Sequence, residues 1–157
     1  MFSARLALVD EVGLVQRVTE AAYAEYAAVL DAPPQPVTEE YGPRIAVGEV
    51  WLVARAGEVA GLMVLEMAKD HAMIFSLAVL PAAQGAGLGR WMLGFAEDRA
   101  REAGRGEVRL YTNALMTRNI RIYGEAGFRE AGRRDHPTRP GWMVVDMVKP
   151  VGAKPAS

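Results

Sequence analysis

Residues 79–90, Val-Leu-Pro-Ala-Ala-Gln-Gly-Ala-Gly-Leu-Gly-Arg, constrain this chain more than any other stretch. An apolar run ends there, glycines fall at 85, 87 and 89, and a helical pattern begins at once. A strand, glycine loop and helix joined this tightly need turns that glycine makes without steric cost. The junction aims several backbone N–H groups at one point, at the positive end of a helix dipole. That arrangement cradles phosphate oxygens, and small residues let a ligand approach the main chain closely. The stretch predicts an α/β (α+β) fold that holds a phosphorylated cofactor.

Spacing decides which kind of glycine loop this is. A P-loop needs a Lys-Ser/Thr pair after the turn, and here Gly89 is followed by Arg90-Trp91. The dinucleotide fingerprint needs G-x-G-x-x-G and an acidic residue ending the next strand. This chain has G-x-G-x-G, and its next predicted strand ends in Thr112-Asn113. Both readings are weak. Gln84-Gly85-Ala86-Gly87-Leu88-Gly89 instead resembles the acyl-coenzyme A loop of the GCN5-related N-acetyltransferases (GNAT), Q/R-x-x-G-x-G/A, at every fixed position.

A second stretch resembles the same family. Asn119 is followed by Tyr123 and then Gly127-Phe128. Residues four apart share one face of a helix, so Asn119 and Tyr123 can reach one ligand. Gly127 stands where a helix stops in a left-handed turn. The two signatures cover roughly residues 71–130.

Composition sets limits. At 157 residues the chain is expected to be one domain, residues 1–149, with a flexible tail over 150–157. No stretch matches a signal peptide or a membrane span, so a cytoplasmic location is the expectation. The chain has no cysteine, which rules out a covalent acyl-cysteine intermediate. No G-x-S-x-G elbow is present, which favours direct transfer. Residues 1–83 hold 5 basic and 11 acidic side chains, and residues 84–157 hold 13 and 8. The positive part contains the glycine loop, as an anionic ligand would favour; the acidic part would favour a cationic acceptor. No basic stripe with interleaved aromatics points to nucleic acid, and neither a metal nor a membrane partner is expected.

Element by element, Arg5 to Val9 reads as a strand and Asp10 as the cap of a helix, apolar at 14, 15, 18, 22, 26 and 29. Asp31 to Pro36 ends that helix in a stiff loop, and a short helical or irregular piece follows from Thr38 to Gly48. Val50–Ala56 and Glu58–Ala68 read as a hairpin turning at Gly57. Ala72–Leu80 is a central strand, Leu88–Ala103 a long helix and Val108–Thr112 a strand parallel to the first. A helix over Thr117–Ala126 and an antiparallel pair, Phe128–Arg134 and Trp142–Lys149, complete the pattern.

The resemblance implies a mixed, mostly antiparallel sheet of six to seven strands with a splayed parallel pair and about four helices. It implies acetyl-CoA as co-substrate and no metal. Leu77, Ala78 and Val79 would meet the pantetheine amides through their main chain. The main chain of Gln84, Gly85, Ala86, Gly87, Leu88, Gly89 and Arg90 would take the pyrophosphate. Asn119 would meet the cofactor, and Tyr123 the leaving thiolate as catalytic acid. The implied activity is acetyl transfer to a primary amine of a small molecule or peptide through a ternary complex, and a homodimer is compatible with it.

Many relatives carry a glutamate on the strand before the loop, but Met73-Ile74-Phe75-Ser76-Leu77 has no carboxylate. Glu66, Asp70, His71 and Tyr111 remain as candidate bases beside a water chain, and His136 lies in a loop that borders the acceptor in this fold. The segment Asp31–Tyr41 is expected to select the acceptor together with that loop. A silent acyl-CoA sensor is the alternative reading. Asn113, Arg118 and Arg121 are weaker candidates near the cofactor, while Trp51 and Trp142 read as packing, and Trp91, Met92 and Phe95 as the inner face of the long helix.

Overall fold

The computed structural model describes residues 1–152. Seven strands form one mixed sheet: β1 (Phe2–Leu6), β2 (Val50–Arg55), β3 (Glu58–Met67), β4 (Ala72–Val79), β5 (Glu107–Asn113), β6 (Arg129–Asp135) and β7 (Met143–Pro150). Their hydrogen-bonded order is β1-β2-β3-β4-β5-β7-β6. The helices are α1 (Val12–Tyr23), α2 (Gln35–Thr38), α3 (Gly42–Ala46), α4 (Leu88–Glu102) and α5 (Thr117–Glu125). No described helix is long and apolar enough to cross a membrane.

The chain divides into two compact units. One comprises Met1–Leu65 with Phe75–Met92; the other comprises Glu66–Ile74 with the chain from Leu93 onward. The division runs through β4 itself.

In the first unit, β1 and β2 pair antiparallel, and β2 and β3 form the expected hairpin. Its turn uses Ala56 and Gly57, both at positive φ (50° and 84°), which matches the right-handed twist of the strands. The β2–β3 register then shifts, with Val53 opposite Gly61 and Ala54 opposite Val59. Val15, Val50, Leu52, Val53, Leu62, Met63 and Val64 are at most 2% exposed and form the core of this unit.

Its amino-terminal edge differs from expectation. β1 occupies Phe2–Leu6 rather than Arg5–Val9. The ladder ends at the Ala7 N–H to Val50 carbonyl bond, and Val9–Glu11 is already a 3-10 turn. Leu8 and Val9 look like strand residues in sequence, yet both are exposed. The helix is not capped by Asp10. The Glu11 carboxylate accepts the Leu8 N–H at 2.8 Å and pairs through both oxygens with Arg5. Those hydrogen bonds hold the carboxyl down at about 2.

α1 buries Val15, Val18 and Ala22, as its periodicity predicts. It stops at Tyr23, before the proline loop, and Ala24–Ala28 tightens into a 3-10 turn that buries Tyr26 and leaves Val29 exposed. The irregular piece after it contains two short helices, α2 and α3, each with proline in its first turn.

In the second unit, β4 and β5 run parallel, paired as Ala72↔Val108, Met73↔Arg109 and Ile74↔Leu110. β5 pairs antiparallel with β7, and β7 with β6. β6 is exposed along its whole length and carries charges of both signs, the usual protection of a sheet edge. Pro150 is the last residue of β7 and Val151 is buried, its N–H bonded to the Gly106 carbonyl. Pro150 is paired with Glu107, and Val151 is bonded to the residue just before β5, although both fall in the expected tail. Residues 153–157 of the expected tail lie outside the described residues.

Along α4 the buried apolar side chains are Leu88, Met92, Leu93, Ala96 and Ala100. Trp91 and Phe95, expected inside, flank this stripe and are half-buried: Trp91 leans on Phe2, and Phe95 lies under the Arg99 guanidinium.

Candidate functional site

The glycine loop begins where β4 ends. The Leu80 N–H reaches the Ala60 carbonyl of β3, and Pro81–Ala83 makes one 3-10 turn. Gly85 and Gly87 then sit at φ of 82° and 86°. L side chains rarely adopt that backbone, so the two glycines are required by conformation. A Cβ built at Gly85, Gly87 or Gly89 would meet nothing within 4 Å. The space above the loop is open along its length.

The first helical bond here is Trp91 N–H to the Gly87 carbonyl at 3.0 Å. Among the described residues the amides from Gly85 to Arg90 have no backbone acceptor. They belong to the amino-terminal turn of α4, where the helix leaves N–H groups unsatisfied and the dipole favours an anion. Leu88 is buried and anchors the turn, so only its main chain faces a ligand. Gln84 donates from Nε2 to Glu25 at 3.1 Å, which fastens the loop to the 3-10 turn after α1.

The unit that holds this loop is the acidic one. It contains five basic and nine acidic side chains, against thirteen and ten in the other unit. This corrects the expectation that the loop sits in the positive part of the molecule. A cut at residue 84 of the sequence is not a cut in the fold. The attraction for an anion on this unit comes from backbone dipoles and Arg90.

β4 alternates buried and half-buried side chains throughout, with Ser76 and Ala78 inside and Leu77 and Val79 on the half-buried face. Its pairing with β5 ends at Ile74, although β4 continues to Val79. Two residues that the sequence did not single out place this stretch. A Cβ at Gly61 would lie 2.4 Å from the Ala78 carbonyl oxygen, so β3 approaches β4 there more closely than any side chain allows. A glycine inside a strand is a signal of such an approach and could have been read. The second is Tyr23, whose hydroxyl lies 3.2 Å from Ser76 Oγ and donates to the Leu77 carbonyl at 3.5 Å. Burial pushes this phenol above its ordinary value, so it stays protonated and acts as a structural donor. Nothing in the sequence marks it.

Asn119 and Tyr123 lie on α5 in the second unit, one turn apart as predicted. Asn119 is half-buried. The Tyr123 ring is 6% exposed and tilted against Phe128 at 6.2 Å. Gly127 ends the helix at φ 100°, and the Phe128 N–H closes the turn onto the Tyr123 carbonyl. Arg118 is half-buried and Arg121 exposed on the same helix.

The candidate bases are dispersed. His71 Nδ1 sits 2.6 Å from the Asp70 carboxylate, and that bond holds Asp70 below its ordinary value. Glu66 is half-buried near the end of β3. The Tyr111 ring faces the Arg134 guanidinium at 5.5 Å, and Arg134 pairs through two nitrogens with Asp146. In the β6–β7 loop, His136 packs edge-on to Trp142, whose face carries Arg139 at 4.6 Å. Partial burial, then the charges of Arg139 and Arg134, hold His136 below its ordinary value and keep it neutral at pH 7. Asn113 is a turn residue: its side-chain oxygen accepts the Leu115 N–H at 2.8 Å.

Comparison with known proteins points the same way. The family model described as "Acetyltransferase (GNAT) family" matches residues 15–128. A curated mycothiol acetyltransferase from Sanguibacter keddieii is 35% identical over 96 residues, which are 57% of this chain but only 30% of that protein. Among solved structures, the ribosomal-protein-S18-alanine N-acetyltransferase from Escherichia coli superposes with a TM-score of 0.74 at 23% identity, covering 99% of this chain and 97% of that one. The PaiA N-acetyltransferase from Thermoplasma acidophilum, solved in complex with coenzyme A, gives 0.74 at 15% identity, covering 93% and 98%. At those identities the two structures show a shared fold.

Proposed function

Since the chain belongs to the acetyltransferase (GNAT) family, we propose that it moves the acetyl group of acetyl-CoA directly to a primary amine of a small molecule or peptide, within one cytoplasmic acetyltransferase domain. The observation that carries this reading is the loop from Gln84 to Arg90. Its two left-handed glycines, open space and amides without backbone acceptors fit a diphosphate. Acetyl-CoA supplies an activated thioester when bound.

Each residue has a defined task in this proposal. The main chain of Gly85 to Arg90 holds the diphosphate. The main chain of Leu77, Ala78 and Val79, on the part of β4 beyond its pairing with β5, holds the amides of the pantetheine arm as an added strand. The Leu77 N–H polarises the acyl carbonyl. Asn119 steadies the cofactor, and the Tyr123 hydroxyl donates a hydrogen bond to the departing sulfur. A tyrosine begins near pKa 10 and a thiol near 8.5, so a hydrogen bond suffices and full proton transfer is slightly uphill.

The acceptor amine must lose a proton. For a lysine-like amine that costs roughly 4–5 kcal/mol at pH 7, and for an α-amino group about 1 kcal/mol. β4 supplies no carboxylate for this. The absence favours an acceptor of low pKa, and it is also the observation that supports the sensor reading.

One experiment tests the proposal and separates the two readings. Acetyl-CoA is expected to raise the melting temperature and to release thiol when amines are added. Protection without thiol release across polyamines, aminoglycosides, amino acids and peptides would establish the sensor; no protection would end both readings. Tyr123→Phe is expected to lower kcat tenfold or more with acetyl-CoA affinity unchanged.

A further inference from the structure

The helix that carries Tyr123 has few means of holding itself in place. α5 spans nine residues, too few for a helix to be stable alone. Tyr123 is its one buried residue, and no basic side chain stands in its last turn to meet the free carbonyls. The missing cation comes from β7. The Lys149 ammonium donates to the carbonyl of Ala126, the C-cap of α5, at 2.8 Å. It also lies 2.9 Å from the Glu97 carboxylate on α4. Glu97 is buried and Lys149 half-buried, so each charge needs the other.

Gly127 makes room for this reach. A Cβ there would stand 3.0 Å from Lys149 Cε and 3.3 Å from Nζ. Glycine at this position therefore serves the left-handed turn and the lysine stem together. The same turn holds Tyr123 by its main chain, because the Tyr123 carbonyl accepts both the Ala126 and the Phe128 N–H. Hydrogen bonds thus run from Lys149 to Ala126 and from Ala126 to Tyr123. An ammonium at the carbonyl end of a helix is also favoured by the helix dipole.

We propose that Lys149, anchored by Glu97, is a positioning residue for Tyr123: it pins the last turn of α5 so that the phenol keeps its place relative to the departing sulfur. The assignment rests on the acetyl-transfer reading, in which Tyr123 donates a hydrogen bond to that sulfur. Lys149 itself touches neither cofactor nor acceptor in this scheme, and no proton leaves it. Its effect on rate is geometric, since a reacting group displaced by about 1 Å loses much of its contribution. Cofactor affinity is set elsewhere, chiefly by the loop amides, and does not depend on the ammonium.

The test uses the full chain, acetyl-CoA and the amine that releases thiol fastest from the wild type. Lys149→Met is expected to lower kcat about fivefold while the Kd of acetyl-CoA stays within about twofold, and Lys149→Arg, which keeps the charge, should recover most of the loss. In the Tyr123→Phe background Lys149→Met should cost no further kcat, because the group it positions is gone. Leu110→Ala, a truncation of a buried β5 residue, controls for stability: it should lower the melting temperature and leave kcat within about twofold. If Lys149→Met does not fold, Lys149→Gln takes its place in every comparison. A second readout needs no turnover. Hydrogen exchange at the Ala126 and Phe128 amides should quicken about tenfold in Lys149→Met and less in Leu110→Ala. Unchanged kcat, a loss that adds in full to that of Tyr123→Phe, an equal loss in Leu110→Ala, or unchanged exchange would overturn the assignment and leave acetyl transfer standing. If the wild type binds acetyl-CoA but releases no thiol with any amine, acetyl transfer falls and takes the positioning role with it, whatever the exchange shows.

Discussion

The two units manage their polar groups in opposite ways. In the second, several basic side chains are paired with carboxylates of the same unit. Lys149 meets Glu97 at 2.9 Å, Arg109 meets Glu107, Arg133 meets Glu130, and Arg134 meets Asp146. In the first, a row of loop amides is left without backbone acceptors among the described residues. The contrast teaches that a surplus of arginine in a stretch of sequence does not mark an anion site. Paired charges are spent locally, whereas unsatisfied helix-terminal amides keep their field for a ligand.

Substitutions can break this contrast, beginning with the largest effect. Gly61→Val would drive a side chain into the Ala78 carbonyl, where even a Cβ lies at 2.4 Å. Overpacking of backbone against backbone should cost about 3 kcal/mol, read as a lower urea midpoint, and should weaken acetyl-CoA protection because β4 moves. Lys149→Met acts on the other unit. It leaves Glu97, 8% exposed, with Arg101 at 3.6 Å as its remaining cation. A loss of about 2 kcal/mol is expected, with acetyl-CoA affinity unchanged; a parallel loss of affinity would erase the contrast between scaffold and site.

Gly87→Ala addresses the loop alone. Space is open there, so the penalty is the left-handed backbone, about 1 kcal/mol. Acetyl-CoA affinity should fall about tenfold. Gly89→Ala, in equally open space and without positive φ, should be stable and bind more nearly as wild type. If Gly87→Ala bound as well, the loop would not be the cradle.

The smallest effect is a pH dependence. Folding depresses the Glu11 carboxyl from its ordinary 4.5 to about 2. A depressed acid stabilises the fold above its unfolded value, and the contribution disappears as pH falls from about 4.5 through about 2. Glu11→Gln should flatten the stability profile in that window and leave it unchanged above pH 6. An identical slope in the variant would assign the acid sensitivity to other carboxylates.

The sequence by itself determined the elements whose signal is local. The hairpin turn at Gly57, the glycines at 85 and 87, the helix stop at Gly127 and the one-turn spacing of Asn119 and Tyr123 are backbone properties, written in the residues that adopt them. The same locality misled at the amino terminus, where Leu8 and Val9 have strand propensity but the Arg5–Glu11 pair turns the chain. Tertiary structure alone decided which distant groups meet: Tyr23 at Ser76, the Ala78 carbonyl over Gly61, and the allotment of the loop to an acidic unit. Those depend on how elements distant along the chain are brought together, and no residue carries that information singly. Short-range sterics can be read along a chain; long-range contacts exist only once it has closed on itself.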